Sequence, residues 1–115
     1  MSLDVSLIIT KPTEVYSANI THNLGEMAEA VKLSDGNTLY NILWRPDECI
    51  PPYTKASEIS ELLDEGLNIL LSDPDKYKQY NPENGWGSYD GLVSFVYRYR
   101  NATWDNPDST LQISR

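Results

Sequence analysis

Leu3, Val5, Leu7 and Ile9 alternate with Asp4, Ser6, Ile8 and Thr10. A period of two predicts a strand over residues 2–10. Lys11-Pro12-Thr13 is a turn signal. Val15, Ser17 and Asn19 then alternate with Tyr16, Ala18 and Ile20, so a second short strand completes a hairpin. The polar Thr21-His22-Asn23 ends it. Thr21 or Asn23 is placed to cap a following helix, and Glu26 stands at capping-box spacing from Asn23. Leu24, Met27, Ala28 and Val31 form that helix's apolar stripe. Gly25 sits one turn in, where a close approach by another backbone would explain it. Ser34-Asp35-Gly36-Asn37 closes the helix.

Leu39, Tyr40, Ile42, Leu43 and Trp44 predict a helix of about two turns, stopped by Pro46. Residues 46–54, with Pro46, Pro51 and Pro52, read as an ordered loop. The clearest helix follows. Ile59, Leu62, Leu63, Gly66, Leu67 and Leu70 repeat at helical spacing, with Glu58, Glu61, Asp64 and Glu65 opposite. Thr54 or Ser57 is its expected cap, and Asp73-Pro74 its end. Residues 74–80 predict one more turn, carrying Tyr77 and Tyr80. A last helix, about 88–101, would bury Tyr89, Leu92, Val93, Val96 and Tyr99. After the Asn106-Pro107-Asp108 turn, Leu111 and Ile113 alternate with Thr110, Gln112 and Ser114. This predicts a third strand over about 109–114, paired with the first.

Strands segregated from helices mean α+β. The expected architecture is a three-stranded antiparallel sheet, made of the hairpin and the C-terminal strand, with the helices packed on one face. The sheet's outer face must then be polar, or covered by a partner subunit. Leu63, Leu67, Leu70, Leu92 and Val96 are the expected core. With 115 residues, one compact domain (1–115) is the expectation.

Charge narrows the partners. A formal net charge of −8 repels nucleic-acid phosphates and anionic membrane surfaces. The best candidate for a basic patch, Tyr97-Arg98-Tyr99-Arg100, is short. Direct nucleic-acid and membrane contact are therefore not expected. A carboxylate-rich surface can instead imitate nucleic acid and occupy a basic partner. The single cysteine, Cys49, allows no intrachain disulfide. The start, Met1-Ser2-Leu3-Asp4, lacks the basic region of a signal peptide, and no stretch reaches the length of a membrane span. The N-x-T sequons at Asn19 and Asn101 then read as chance matches. The expected location is the cytoplasm.

Candidate chemistry gathers at helix ends. The stretch Asn81-Pro82-Glu83-Asn84-Gly85-Trp86-Gly87-Ser88-Tyr89 holds a large ring between two glycines, where the backbone can turn sharply. Trp86 could stack on a planar ligand, or close the core over the last helix. Asn84 could contact a ligand or make an Asx turn. Tyr89 fits a site or, by its helical spacing, the core. Trp44 and Arg45 precede Pro46; Arg45 is a bidentate donor for a carboxylate or phosphate, or one half of an internal salt bridge. His22, the only histidine, lies between Thr21 and Asn23, where it could act as a general base or ligand contact. Nothing near it has metal-ligand spacing. Cys49 with His22 as base would be a nucleophile pair, but no local feature activates the thiol. No phosphate-binding glycine loop, dinucleotide fingerprint or nucleophile elbow occurs. Enzyme motifs are absent, and no cofactor is implied.

The set Asn19-Ile20-Thr21-His22-Asn23-Leu24 with Met27-Ala28, Leu43-Trp44-Arg45-Pro46, Asn81-Pro82-Glu83-Asn84-Gly85-Trp86-Gly87-Ser88-Tyr89 and the Ser114-Arg115 ending resembles a family of small uncharacterised proteins of phages and bacterial genomes. The likeness covers nearly the whole chain. It implies a stand-alone domain of phage origin, acting in the host cell cytoplasm, and it transfers no catalytic residue. The expected function is non-catalytic binding of a nucleotide-like small molecule by His22, Asn23, Trp44, Arg45, Asn84, Trp86 and Tyr89. A phage protein of this kind could sequester a host signalling nucleotide as an anti-defence measure. The alternatives are an acidic inhibitor that blocks a basic host factor, and a small hydrolase using His22. A homo-oligomer is compatible with each.

Overall fold

Strand β1 (Ser2–Ile8) lies at the centre of a three-stranded sheet, with β2 (Glu14–Thr21) and β3 (Thr110–Ser114) antiparallel on either side. The computed structural model describes residues 2–9 and 14–115. Thr10 and the Lys11-Pro12-Thr13 turn fall outside the described residues. The fold is α+β, as the segregation of strands and helices predicts. The C-terminal strand does return to the first: Val5 faces Ile113 and Leu7 faces Leu111.

Alternation decides which sheet face is covered. Leu3, Val5 and Leu7 are fully buried against the helices. Their neighbours point the other way and are matched by polar partners on both sides. Asp4 lies between Asn19 and Ser114, and Ser6 between Ser17 and Gln112. The outer face is therefore polar around Asp4 and Ser6.

Five helices fill the chain between β2 and β3: α1 (Gly25–Glu29), α2 (Leu39–Trp44), α3 (Ala56–Ser72), α4 (Pro74–Lys78) and α5 (Tyr89–Asp105). The two long ones, α3 and α5, pack on each other. Leu63, Leu67 and Leu70 of α3 and Leu92 and Val96 of α5 are all buried, as their spacing predicts. Tyr99 of α5 stacks on Tyr16 of β2 with ring centroids 6.1 Å apart, which fastens α5 to the sheet. α5 runs past residue 101 to Asp105 because Ala102 and Thr103 continue its buried stripe.

The caps depart from expectation for local reasons. Thr21 caps a 3-10 turn (His22–Leu24) by accepting from the Asn23 backbone N–H. Asn23 therefore sits inside a turn rather than at a helix head, and its spacing to Glu26 forms no capping box. Gly25 is approached by the Tyr40 ring, not by backbone: a Cβ there would lie 3.3 Å from Tyr40 Cε1. α3 begins between the two expected caps, Thr54 and Ser57, with Lys55 before its first residue. The Glu58 carboxylate reaches back and accepts from the N–H groups of Thr54 at 2.7 Å and Lys55 at 2.9 Å. The loop after α2 contains a 3-10 turn at Pro46–Glu48. No described helix is long and apolar enough to cross a membrane.

Leu67→Ala should lower unfolding free energy by about 2–5 kcal/mol, the range for truncating a buried leucine; chemical denaturation measures it. The backbone donors of Thr54 and then Lys55 hold Glu58 below its ordinary pKa. A depressed carboxylate stabilises the fold above its unfolded pKa and loses that effect as pH falls through its folded value. Glu58→Gln should therefore lower the melting temperature at neutral pH, and the gap to wild type should close in acid. A gap independent of pH would show that the charge is not what matters.

Candidate functional site

The 3-10 turn at His22–Leu24 and the loop before α5 meet, although they are far apart in sequence. Asn23 Nδ2 donates to the Trp86 carbonyl at 3.2 Å. Beside this bond, Gly87 lies against the turn so closely that a Cβ would stand 2.8 Å from Thr21 Cγ2 and 3.1 Å from Leu24 Cγ. Gly85 and Gly87 both have positive φ, 77° and 110°. Asn84 Oδ1 accepts from the Trp86 N–H at 2.9 Å, an Asx turn that fixes the loop. The outcome is a tethered loop in which Trp86 is 72% exposed.

From this junction a cleft of about 470 Å³ runs between β2 and the first half of α5. One wall is the edge strand from Tyr16 to Thr21. The other is Gly87, Ser88, Gly91, Phe95 and Arg98, which share one side of α5 and its approach. Gly87 and Gly91 bring no side chain, so the cleft stays open at that end. Ser88 caps α5 by accepting from the Gly91 N–H. Arg98 stands about 15 Å further along, ten residues at the helical rise.

Arg98 is the distinctive charge. Arg45 pairs with Glu48, Arg100 with Asp64, and Arg115 with Asp47 and Glu48. Among the described residues no carboxylate lies within ion-pair distance of Arg98; it donates only to Ser94 Oγ at 2.9 Å. Burial pushes the Tyr16 phenol above its ordinary pKa, and the charge of Arg98 partly opposes that shift. The cleft thus presents a cation, hydroxyls and an aromatic floor. Its lining holds no histidine, cysteine or carboxylate.

The residues expected to share a site divide into three groups. Asn23, Asn84 and Trp86 belong to the loop junction at the cleft's end. His22 and Trp44 meet edge to face, with centroids 6.1 Å apart. Trp44 is 2% exposed and stacks on Tyr40, so its ring has no face for a ligand. His22 Nε2 is buried with no hydrogen-bond partner among the described residues. Tyr89 is likewise core: its hydroxyl donates to the Leu70 carbonyl at 2.6 Å. Arg45 donates to Tyr40 and Glu48, and Glu48 also accepts from Arg115, which bonds the Trp44 carbonyl. Arg45 therefore belongs to a cluster tying the C-terminus to α2. Cys49 is buried; burial first, and then the charges of Asp35, Asp47 and Glu48, push its thiol pKa up. That is the opposite of activation.

Sequence reasoning missed Arg98, treating it with Arg100 as one patch. The structure sends them to different sides of α5. A usable signal was present: Ser88, Gly91, Phe95 and Arg98 recur at three- and four-residue spacing, a helical stripe with little bulk at its start.

Comparison with protein-family models, curated proteins and solved structures returns no match.

Gly87→Ala should cost about 1–3 kcal/mol, because the methyl group meets Thr21 and the backbone is strained for any L side chain. Gly85→Ala should cost less, since nothing lies within 4 Å of its Cβ position. Equal losses in thermal unfolding would show that the contact with Thr21 contributes nothing.

Proposed function

We propose that this chain is a non-catalytic binding protein for a small anionic molecule bearing a planar ring, a nucleotide-like ligand, held in the cleft between β2 and α5. One observation carries the reading. In a chain of net charge −8, the arginine left without a carboxylate lines the cleft. An unpaired guanidinium in such an excess of carboxylate is a ready partner for phosphate. The cleft's length suits a mononucleotide, with phosphate at Arg98 and the ring towards the Trp86 loop. Thr21 and Ser88 supply neutral hydrogen-bonding groups along the way.

This reading moves the anion-binding role from Arg45 to Arg98 and keeps Asn23, Asn84 and Trp86 as the loop that frames the open end. The resemblance to phage proteins supports a biological role: sequestering a signalling nucleotide in the host cytoplasm. The alternative, an acidic protein that occupies a basic host factor, draws on the net charge and makes no use of this cleft.

Titration calorimetry with mononucleotides and cyclic dinucleotides tests the proposal. Arg98→Ala should weaken binding by about 1.5–3 kcal/mol, the scale of a charged hydrogen bond. Trp86→Ala should cost about 1–3 kcal/mol if the ring stacks on the base. Arg45→Ala should leave affinity unchanged. All three variants should remain folded by circular dichroism. Failure of the wild type to bind any of the panel would reject the nucleotide reading and leave the protein-blocking one.

A further inference from the structure

The side of α5 turned away from the cleft carries a second feature. Tyr97 is 50% and Trp104 46% exposed, two of the largest apolar surfaces among the described residues. They are not loose. The Arg100 guanidinium lies 5.1 Å from the Tyr97 ring centroid and 4.4 Å from that of Trp104. Arg100 is itself anchored, donating to Asp64 of α3 at 2.9 Å and to Asn101 Oδ1 at 3.0 and 3.2 Å. Two large rings are thus held in place on a helix, and their outer surfaces face solvent. Ordered tryptophan and tyrosine with little rotamer entropy left to lose are the residues that dominate protein interfaces.

We infer that this face of α5 docks a basic segment of another protein, whose arginine or lysine side chains pack on Tyr97 and Trp104. Charge selects the occupant. The chain carries −8, and the groove that adjoins Arg100 across the Asp64 contact is lined by Glu61, Asp64 and Glu65. Among the described residues, Arg100 pairs with Asp64 alone, and Glu65 accepts only from the neutral Ser34, so the groove keeps a net negative charge. The rings also attract cations through their electron-rich faces, and Arg100 shows that both accept a guanidinium. The same charge repels phosphate-bearing surfaces, so neither nucleic acid nor an anionic membrane fits. Phe95 and Arg98 face the cleft, whereas Tyr97 and Trp104 stand about half a helical turn away. The face is therefore independent of the nucleotide site, and its test does not depend on that reading.

The test uses the full chain and two fluorescently labelled short peptides, one alternating arginine with glycine and one with glutamine in place of arginine. Fluorescence anisotropy should show saturable binding of the arginine peptide and none of the glutamine peptide. Trp104→Ala should weaken binding roughly tenfold, the scale of a well-packed cation–π contact. Trp104→Phe should recover part of the loss. Ile50→Ala, an exposed apolar side chain outside α5, should bind as wild type does. Tyr97→Ala repeats the test if Trp104→Ala proves unstable in thermal unfolding. Three results would each overturn the inference: no binding of the arginine peptide, equal binding of the glutamine peptide, or unchanged affinity on loss of either ring. The last would mean that diffuse charge, not this face, holds the peptide.

Discussion

β1 is the strand with partners on both sides, and the rest of the molecule is arranged around that fact. A two-stranded hairpin is marginal in water, and three strands need something packed on their apolar face. β3 supplies the second partner for β1, and the helices supply the cover over Leu3, Val5 and Leu7. Because β3 takes one side of β1, β2 is left as an edge. α5 then has to lie under that edge to complete the core, and it does so through the Tyr16–Tyr99 stack. The pairing of a free edge with the first half of a helix leaves the cleft between them. The candidate site is a geometric consequence of strand order β2-β1-β3, and not an addition to the fold.

Much of this architecture was legible in the sequence, because periodicity reports burial directly. The alternation over residues 2–10 and about 109–114, and the leucine stripe of α3, each predict the right element, although β1 ends at Ile8 and β3 begins at Thr110. Chain connectivity then leaves little choice of topology. Helix ends were less legible. Thr54, Lys55 and Ser57 lie within three residues of one another, and what places the start after Lys55 is the Glu58 carboxylate, which takes the N–H groups of Thr54 and Lys55. Asn23 was lost as a cap for the same reason: a single 3-10 turn shifts its role from local to distant.

The site was the least legible part, and the cause is physical. Residue type fixes what a side chain can do, but not where it points. Trp44 and Trp86 have the same chemistry and flank similar turns. Trp44 lies on the buried stripe of α2 with Leu43 and Ile42, so Tyr40 and the core claim it. Trp86 lies between two positive-φ glycines, which leave its backbone bonded and its ring outside. Arg45 and Arg98 divide in the same way. Arg45 has Glu48 three residues on, within reach of its own turn. Around Arg98, positions 94, 95, 101 and 102 hold Ser, Phe, Asn and Ala, so no carboxylate is available at helical spacing. That absence is written in the sequence, but its meaning depends on knowing that β2 stands opposite.

α5 draws these threads together, because one helix serves three environments. Leu92, Val96 and Tyr99 face the core; Gly91, Phe95 and Arg98 face the cleft; Tyr97, Arg100 and Trp104 face outward towards α3 and solvent. The two arginines two residues apart are treated oppositely. Arg100 is neutralised by Asp64 and spent on holding two rings, while Arg98 keeps its charge unpaired. Had Asp64 stood opposite Arg98 instead, the cleft would carry no net positive group and the outer rings would lose their support. The position of one carboxylate on α3 therefore determines which arginine is structural and which remains open to an anion.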